Sequence, residues 1–299
     1  MAMRWNSLLI GILSGTALSA GAALDPAKAP GGNFTLSMWT LQLPLASGGS
    51  VEQIKGADLM AGYTSTYFST GTDGSMTFWC PVTGGTTPNS HYPRSELREV
   101  WPGGEWKFDG HHVLTAKCRV TKVPDNGLLI FGQIHGNLTG SEIVKLYWNN
   151  GAIQAAVEPN RTDEVRLGLG NFSLGDTLNY TLDMTDNKLK ATVNGKSVTY
   201  DYSAATWKTD TYYFKAGSYV QDNTGASTVG GKVQFYSLAI EHNGVTALLH
   251  DTDRKSQPTG GPRALLNSGL KIWVSSLGKG GVSQGEDFLG RGFEIPAAR

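Results

Sequence analysis

Apolar and polar positions alternate in short runs along most of this chain. The pattern recurs in "NFTLSMWTLQLP", "GSMTFWCPV", "GHHVLTAKCRV", "EIVKLYWNNG", "DTLNYTLDMTDN", "KLKATVNGKSVTYDY" and "GKVQFYSLAIEHNG". A period of two marks strands with one face on a core, and Gly, Pro, Asn and Asp punctuate the gaps between them. Asn150-Gly151 and Asn194-Gly195 are two-residue hairpin turns in waiting, because both central positions of such a turn need positive φ. Many short strands at this spacing predict an all-β fold, a sandwich of antiparallel sheets or a jelly roll. Only "SVEQIKGADLMAG", Ser50 to Gly62, has helix-like spacing, and it is expected to form a short surface helix or turn. The regular pattern stops at Gly244, so the chain divides into a β domain over 23–244 and an atypical, poorly ordered tail over 245–299.

The first 22 residues read differently. Arg4 precedes an apolar run from Leu8 to Leu18, which ends in the small residues Ala20-Gly21-Ala22. That is the arrangement of a cleaved secretory signal peptide, so the protein is expected to be secreted and extracellular. No later run is long enough to cross a bilayer, and no membrane association is expected. Lys plus Arg equals Asp plus Glu at 25 each among 299 residues. With no global field, a nucleic-acid partner is not expected, and any polyanion must be met by a local cluster. Cys80 and Cys118 allow one disulfide or two buried thiols. No Cys/His group has zinc-site spacing, so neither a metal nor a cofactor is expected, and the protein is expected to act as a monomer. N-x-S/T sequons begin at Asn33, Asn137, Asn160, Asn171 and Asn179.

Three segments carry the candidate chemistry. In "RSELRE", Ser95 and Leu97 share one face and Arg94, Glu96 and Arg98 the other, since residues two apart in a strand lie on the same side. In "LIFGQIHG", Ile130, Gly132 and Ile134 are expected inward, with Gln133 and His135 opposite. In "YYFKAGSYVQ", Phe214, Ala216 and Val220 are expected inward, and Tyr213, Lys215, Tyr219 and Gln221 outward. A polar strand face is usually only solvated. This one, however, collects two Arg, one Lys, two Gln, one His and two Tyr around a single anion, Glu96. Neighbouring one another, the three strands would form a cationic, hydrogen-bonding groove.

"RSELRE", "QIH" and "YFKAGSYVQ", in this order, resemble the three motif blocks of the alginate lyases of polysaccharide lyase family 7, over roughly residues 30 to 243. The resemblance implies a jelly roll with its catalytic groove on the concave sheet, and an anionic polysaccharide, alginate, as substrate. It implies Arg94, Gln133, His135 and Tyr219 as the catalytic set. Arg98, Tyr213, Lys215 and Gln221 would line subsites, and Glu96 would orient the arginines. It also implies a lean toward guluronate-containing blocks, with His135 as base and Tyr219 as acid; on mannuronate, Tyr219 serves both steps.

The chemistry suits those side chains. Cleavage by β-elimination removes the weakly acidic C5 proton of a uronate and expels the 4-O substituent. Donors aimed at the carboxylate stabilise the charge that develops there, each commonly worth about 3 kcal/mol of barrier. The fork of Arg94 fits a carboxylate, and a neutral imidazole is a competent base. A glycoside hydrolase would need two carboxylates flanking one bond, whereas Glu96 and Glu99, three apart, point to opposite faces. A lectin-like module, or a lyase for another polyuronate such as glucuronan, would use the same groove.

Overall fold

The computed structural model describes residues 23–246 except 139–140, 161, 205–206 and 208–209. The expected signal segment lies outside the described residues, and so does the expected tail over 245–299 but for Val245 and Thr246, which form a short strand. The chain runs through α1 (Pro30–Asn33), β1 (Trp39–Ser47), β2 (Ser50–Ile54), α2 (Gly56–Met60), β3 (Phe68–Thr70), β4 (Met76–Pro81), β5 (Arg94–Glu99) and β6 (His111–Lys122). It continues through β7 (Leu128–Gly136), β8 (Glu142–Asn149), β9 (Ala152–Val157), β10 (Val165–Asn171), β11 (Leu178–Thr185) and β12 (Lys188–Val193). The last strands are β13 (Lys196–Asp201), β14 (Tyr212–Val220), β15 (Gly230–His242) and β16 (Val245–Thr246).

These strands form two antiparallel sheets, an all-β sandwich as the alternation predicts and the jelly roll that the resemblance implies. The first has the order β10-β9-β8-β7-β14-β5-β1-β2. The second has the order β13-β12-β11-β6-β15-β4-β3, and β16 pairs with β15. Leu97, Phe131, Ile134, Phe214 and Ala216 of the first sheet and Phe78, Leu114, Ala116, Val120, Val233 and Phe235 of the second fill the space between them. Burying these inner faces is the main favourable contribution to the fold, and it orients each alternate residue outward. The Asn150-Gly151 and Asn194-Gly195 turns fall between β8 and β9 and between β12 and β13, with positive φ at all four residues.

Two local expectations change. The first half of the helix-like stretch is β2, paired with β1; the backbone donors of that strand are worth more in a ladder than in an isolated helical turn too short to nucleate. Helix is confined to α2. In β7 the register slips between Ile130 and Gly132 where it meets β8. Phe131 joins the core and Ile130 instead packs outward with Tyr147, Ala156 and Tyr219. Ile130 is therefore not an inward residue. A β-bulge at Phe131–Gly132 resets the alternation, as an extra residue in a strand must. Gly132 suits the irregular site, since a Cβ there would come within 3.0 Å of the Tyr180 hydroxyl.

A buried polar clamp joins the sheets at one end. Glu99 of β5 accepts hydrogen bonds from the Phe214 backbone N–H (2.8 Å) and from Trp106 Nε1 (3.2 Å). Its other oxygen lies 2.5 Å from His242 Nε2 of β15. His242 Nδ1 is 2.8 Å from His112 Nδ1 of β6, and His112 Nε2 is 2.9 Å from the Asp109 carbonyl. Both ends of this chain are acceptors, so satisfying all three contacts takes three protons shared among Glu99, His242 and His112. Two neutral imidazoles and a carboxylate supply only two. Burial lowers the His112 pKa, which disfavours a second proton on that ring.

Cys80 and Cys118 are both buried and unbonded, on β4 and β6 with β15 between them. Burial raises both thiol pKa values, so they serve as small core residues rather than as nucleophiles.

Candidate active site

β14 lies between β7 and β5, so the three candidate segments are direct neighbours. Cross-strand register pairs Tyr213 with His135, Lys215 with both Gln133 and Arg98, Gly217 with Glu96, and Tyr219 with Arg94. All nine candidates thus gather on one stretch of the first sheet, with Gln221 just past the end of β14. A side chain at Gly217 would meet the β5 backbone, its Cβ only 2.5 Å from the Ser95 carbonyl oxygen. Glycine here lets β14 and β5 approach closely beneath Glu96.

This polar face is not a solvated one. Glu96 and Gln133 are fully buried, Lys215 is 2% exposed and Arg94 5%. Glu96 is the hub: Lys215 Nζ sits 2.5 Å from one of its oxygens, Gln133 Nε2 donates to the other, and Arg94 lies 4.0 Å away. Lys215, Gln133 and Arg94 are thus arranged around one carboxylate, whereas Arg98, the other arginine expected to be oriented by Glu96, is not among its partners. Two Arg–Tyr stacks flank the hub. The Arg94 guanidinium is 4.0 Å from the Tyr219 ring centre and Arg98 is 4.0 Å from that of Tyr213. Arg98 is further held by Glu105 at 2.9 Å. Tyr219 shares a 2.9 Å hydrogen bond with Ser90. Gln221 lies at the Tyr219 end, beside the Tyr147 hydroxyl at 3.5 Å. Arg94 Nε and Gln133 Oε1 are buried with no protein hydrogen-bond partner.

His135 is set up as a base. Its Nδ1 is 2.8 Å from the Gly136 carbonyl, which only an Nδ1–H can satisfy, so the Nε2 lone pair is free. The Tyr213 hydroxyl stands 3.0 Å from the same Nδ1, with the two rings stacked. Burial and then the Lys215 charge push the His135 pKa down to about 4, against the opposing pull of Glu142. At neutral pH the imidazole is therefore uncharged. Burial also lowers Lys215, to about 8, because Glu96 only partly compensates the desolvated ammonium.

Several residues of this face escape a reading of isolated strands. Glu142 of β8 lies 3.9 Å from His135 Nε2. Lys145 pairs in register with Gln133 and contacts Glu158 at 2.5 Å and Glu164 at 3.0 Å. Arg166 stacks on Tyr147 at 4.5 Å. One cross-strand row then runs Arg98, Lys215, Gln133, Lys145, Ala156, Arg166 over five of the first sheet's strand pairings. β8 is buried on both faces, so the pattern of its sequence does not separate a solvent face from a core face or single out Glu142 and Lys145. Spacing in "KLYW" puts Lys145 and Tyr147 on a common face, but nothing in it names β7 as their neighbour.

A desolvated cationic floor with a neutral imidazole on a two-sheet jelly roll is the equipment of a polysaccharide lyase. Glu99, the other glutamate of "SELRE", is committed to the core and cannot pair with Glu96 across a glycosidic bond. The chain belongs to the alginate lyase family, whose described pattern matches residues 34–242. An alginate lyase of Klebsiella pneumoniae is 29% identical over 282 residues, covering 72% of this chain and 91% of that one. Alginate lyase A1-II', a member of polysaccharide lyase family 7, is 39% identical with a TM-score of 0.67, over 72% of this chain and 98% of its own. A variant of the same enzyme in complex with substrate (GGMG) matches at 40% identity and a TM-score of 0.68, over 75% of this chain and all of its own. An alginate lyase of Pseudomonas aeruginosa matches at 33% identity and a TM-score of 0.64, over 69% and 99% of the two chains.

Proposed function

We propose that this alginate lyase is a secreted, monomeric enzyme that cuts within the polymer, with a lean toward guluronate-containing blocks. Arg94 and Gln133 bind the carboxylate of the reacting uronate, His135 Nε2 takes the C5 proton, and Tyr219 donates a proton to the departing 4-oxygen. The observation that carries these roles is the His135 environment. Its Nδ1–H is fixed on Gly136, and burial beside Lys215 keeps Nε2 unprotonated at neutral pH. Arg94, stacked on Tyr219, brings the carboxylate-binding cation and the proposed acid to one place. With Glu96 already engaged by Lys215 and Gln133, the protein balances its cations before substrate arrives, and the uronate meets a preorganised site.

On guluronate, where the C5 proton and the leaving oxygen lie on opposite ring faces, a base and an acid on separate strands divide the work. The QIH block, and the substrate (GGMG) held by A1-II', support the preference. The extended row from Arg98 to Arg166 supports attack inside a bound chain, because it offers charged groups well beyond one sugar. Block-defined polyguluronate, polymannuronate and glucuronan, assayed by the absorbance of the unsaturated product and by viscosity, test this together. Faster product formation on polyguluronate with an early viscosity drop is expected. Equal rates on all three, or product without loss of viscosity, would overturn the preference or the endolytic mode respectively.

A further inference from the structure

The outer face of the second sheet lies across the sandwich from the catalytic face, and its charges are unevenly distributed. Near β11, β12 and β13 a shallow depression of about 650 Å³ is lined by Asp183, Asp186 and Asp201 together with Lys188 and Lys190, an ordinary mixed surface. Toward β4 the character changes. Lys117, Arg119 and Lys122 of β6 and Lys232 of β15 surround two partly exposed rings, Trp79 of β4 and Tyr236 of β15. Arg119 lies 4.9 Å and Lys117 6.0 Å from the Tyr236 ring centre; Lys122 lies 4.9 Å and Lys232 5.9 Å from that of Trp79. Among the described residues none of the four cations is in an ion pair. A neighbouring carboxylate, Asp73, is already engaged by the Tyr236 hydroxyl at 2.7 Å and by Ser75.

Two features set this patch apart from a merely solubilising surface. Lys232 and Lys122 are direct cross-strand partners. Like charges placed opposite one another in a sheet destabilise it, and a surface selected only for solubility does better with mixed signs. Two of the cations are also held in place: Arg119 Nε donates to Thr177 at 3.2 Å and Lys122 to the Thr228 carbonyl at 2.7 Å. For these two the rings support the stems as well, at 4.9 Å each, so less side-chain entropy is left to lose on meeting an anion. In a chain of zero net charge, such a concentration of one sign fits a repeating polyanion.

We propose that this face is a second, non-catalytic binding surface for the polyuronate chain. Lys117, Arg119, Lys122 and Lys232 contact successive carboxylates while the opposite face of the molecule cleaves. The surface would keep the enzyme on a gel or long polymer between cuts, and a short oligosaccharide occupying the catalytic face would not need it.

The test replaces the four cations by Thr, which suits exposed strand positions, in the full chain. Retention on calcium-alginate beads is measured in a Tyr219→Phe background, with a short oligosaccharide added to occupy the catalytic face. Exposed charge contacts contribute little individually, and four lost together correspond to a fall of about tenfold in retention. Retention by the unsubstituted patch should itself fall sharply at about 0.5 M salt, where screening is nearly complete. With Tyr219 intact, the patch variant should turn over short oligosaccharides at the parent rate. Unchanged bead retention would overturn the proposal, as would retention on heparin or DNA with none on alginate. Bead dissolution by the Tyr219→Phe protein would instead count against the role of Tyr219, leaving the patch comparison readable on intact beads at low temperature.

Discussion

Replacing Glu99 tests whether the buried clamp works by proton count or by charge. In Glu99→Ala, the Phe214 N–H and Trp106 Nε1–H lose their acceptor and His242 loses its partner, all in a region closed to water. Each stranded donor costs about 1–3 kcal/mol, and breaking a buried ionic pair typically costs about 3–5 kcal/mol. With two stranded donors and the broken pair, a loss of about 5 kcal/mol or more is expected, a large part of the roughly 5–15 kcal/mol that holds a domain together. Glu99→Gln should behave otherwise. Its amide oxygen keeps the two acceptor contacts, and its NH2 donates to His242 Nε2. His242 then donates from Nδ1 to His112, and His112 from Nε2 to the Asp109 carbonyl. Two neutral imidazoles now satisfy the whole chain, and only the second amide hydrogen lacks a partner, so the cost should stay within about 2 kcal/mol. Urea unfolding at neutral pH, followed by fluorescence of Trp101 and Trp106 beside the histidines, measures both variants. Equal destabilisation by Gln and Ala would show that the charge of Glu99 matters and the proton count does not. A loss below about 1 kcal/mol in Glu99→Ala would remove the clamp from the account altogether.

Other substitutions probe the site directly. His135→Ala and Tyr219→Phe should each lower kcat by about 10²–10⁴-fold, the usual contribution of a positioned acid or base, with oligosaccharide binding retained; full activity in either removes that residue from the mechanism. The pH profile of kcat/KM should fall as pH drops through about 4, where His135 takes up a proton. It should fall again as pH rises through about 8, where Lys215 loses one. An acidic limb centred near 6.5, the ordinary imidazole value, would contradict the burial argument. Arg94→Lys keeps the charge but not the fork or the stacking on Tyr219, and should cost about 10-fold or more in kcat/KM; parent kinetics would refute bidentate binding. Lys215→Ala should raise KM more than it lowers kcat, and an unchanged KM would exclude a subsite role.

Much of this architecture can be read along the chain because its strands are short and punctuated. β5 and β14 obey strict alternation, so Arg94, Glu96 and Arg98, and Tyr213, Lys215 and Tyr219, separate from their inward neighbours on sequence alone. Resemblance to the three family blocks then placed these segments side by side, which periodicity cannot do. β7 obeys alternation only from Gly132 onward, and a bulge leaves no mark in composition beyond one glycine. β2 looked helical because Val51 and Ile54 are three apart; pairing with β1 overrides that spacing. Glu142 and Lys145 sit in a strand covered on both sides, and their relevance depends on which strand lies next to them. The burial of the polar face was equally hidden, since a charged residue reads as exposed until its partners are known.

The irregularity at Phe131 and Gly132 divides β7 into two segments whose facings are decoupled. Upstream of it, Leu129 and Ile130 could exchange sides through loss of one residue while Gln133 and His135 kept their orientation. The apolar bed under Tyr219, formed by Ile130, Tyr147 and Ala156, is thus free to change shape or polarity during divergence without disturbing the base two pleats away.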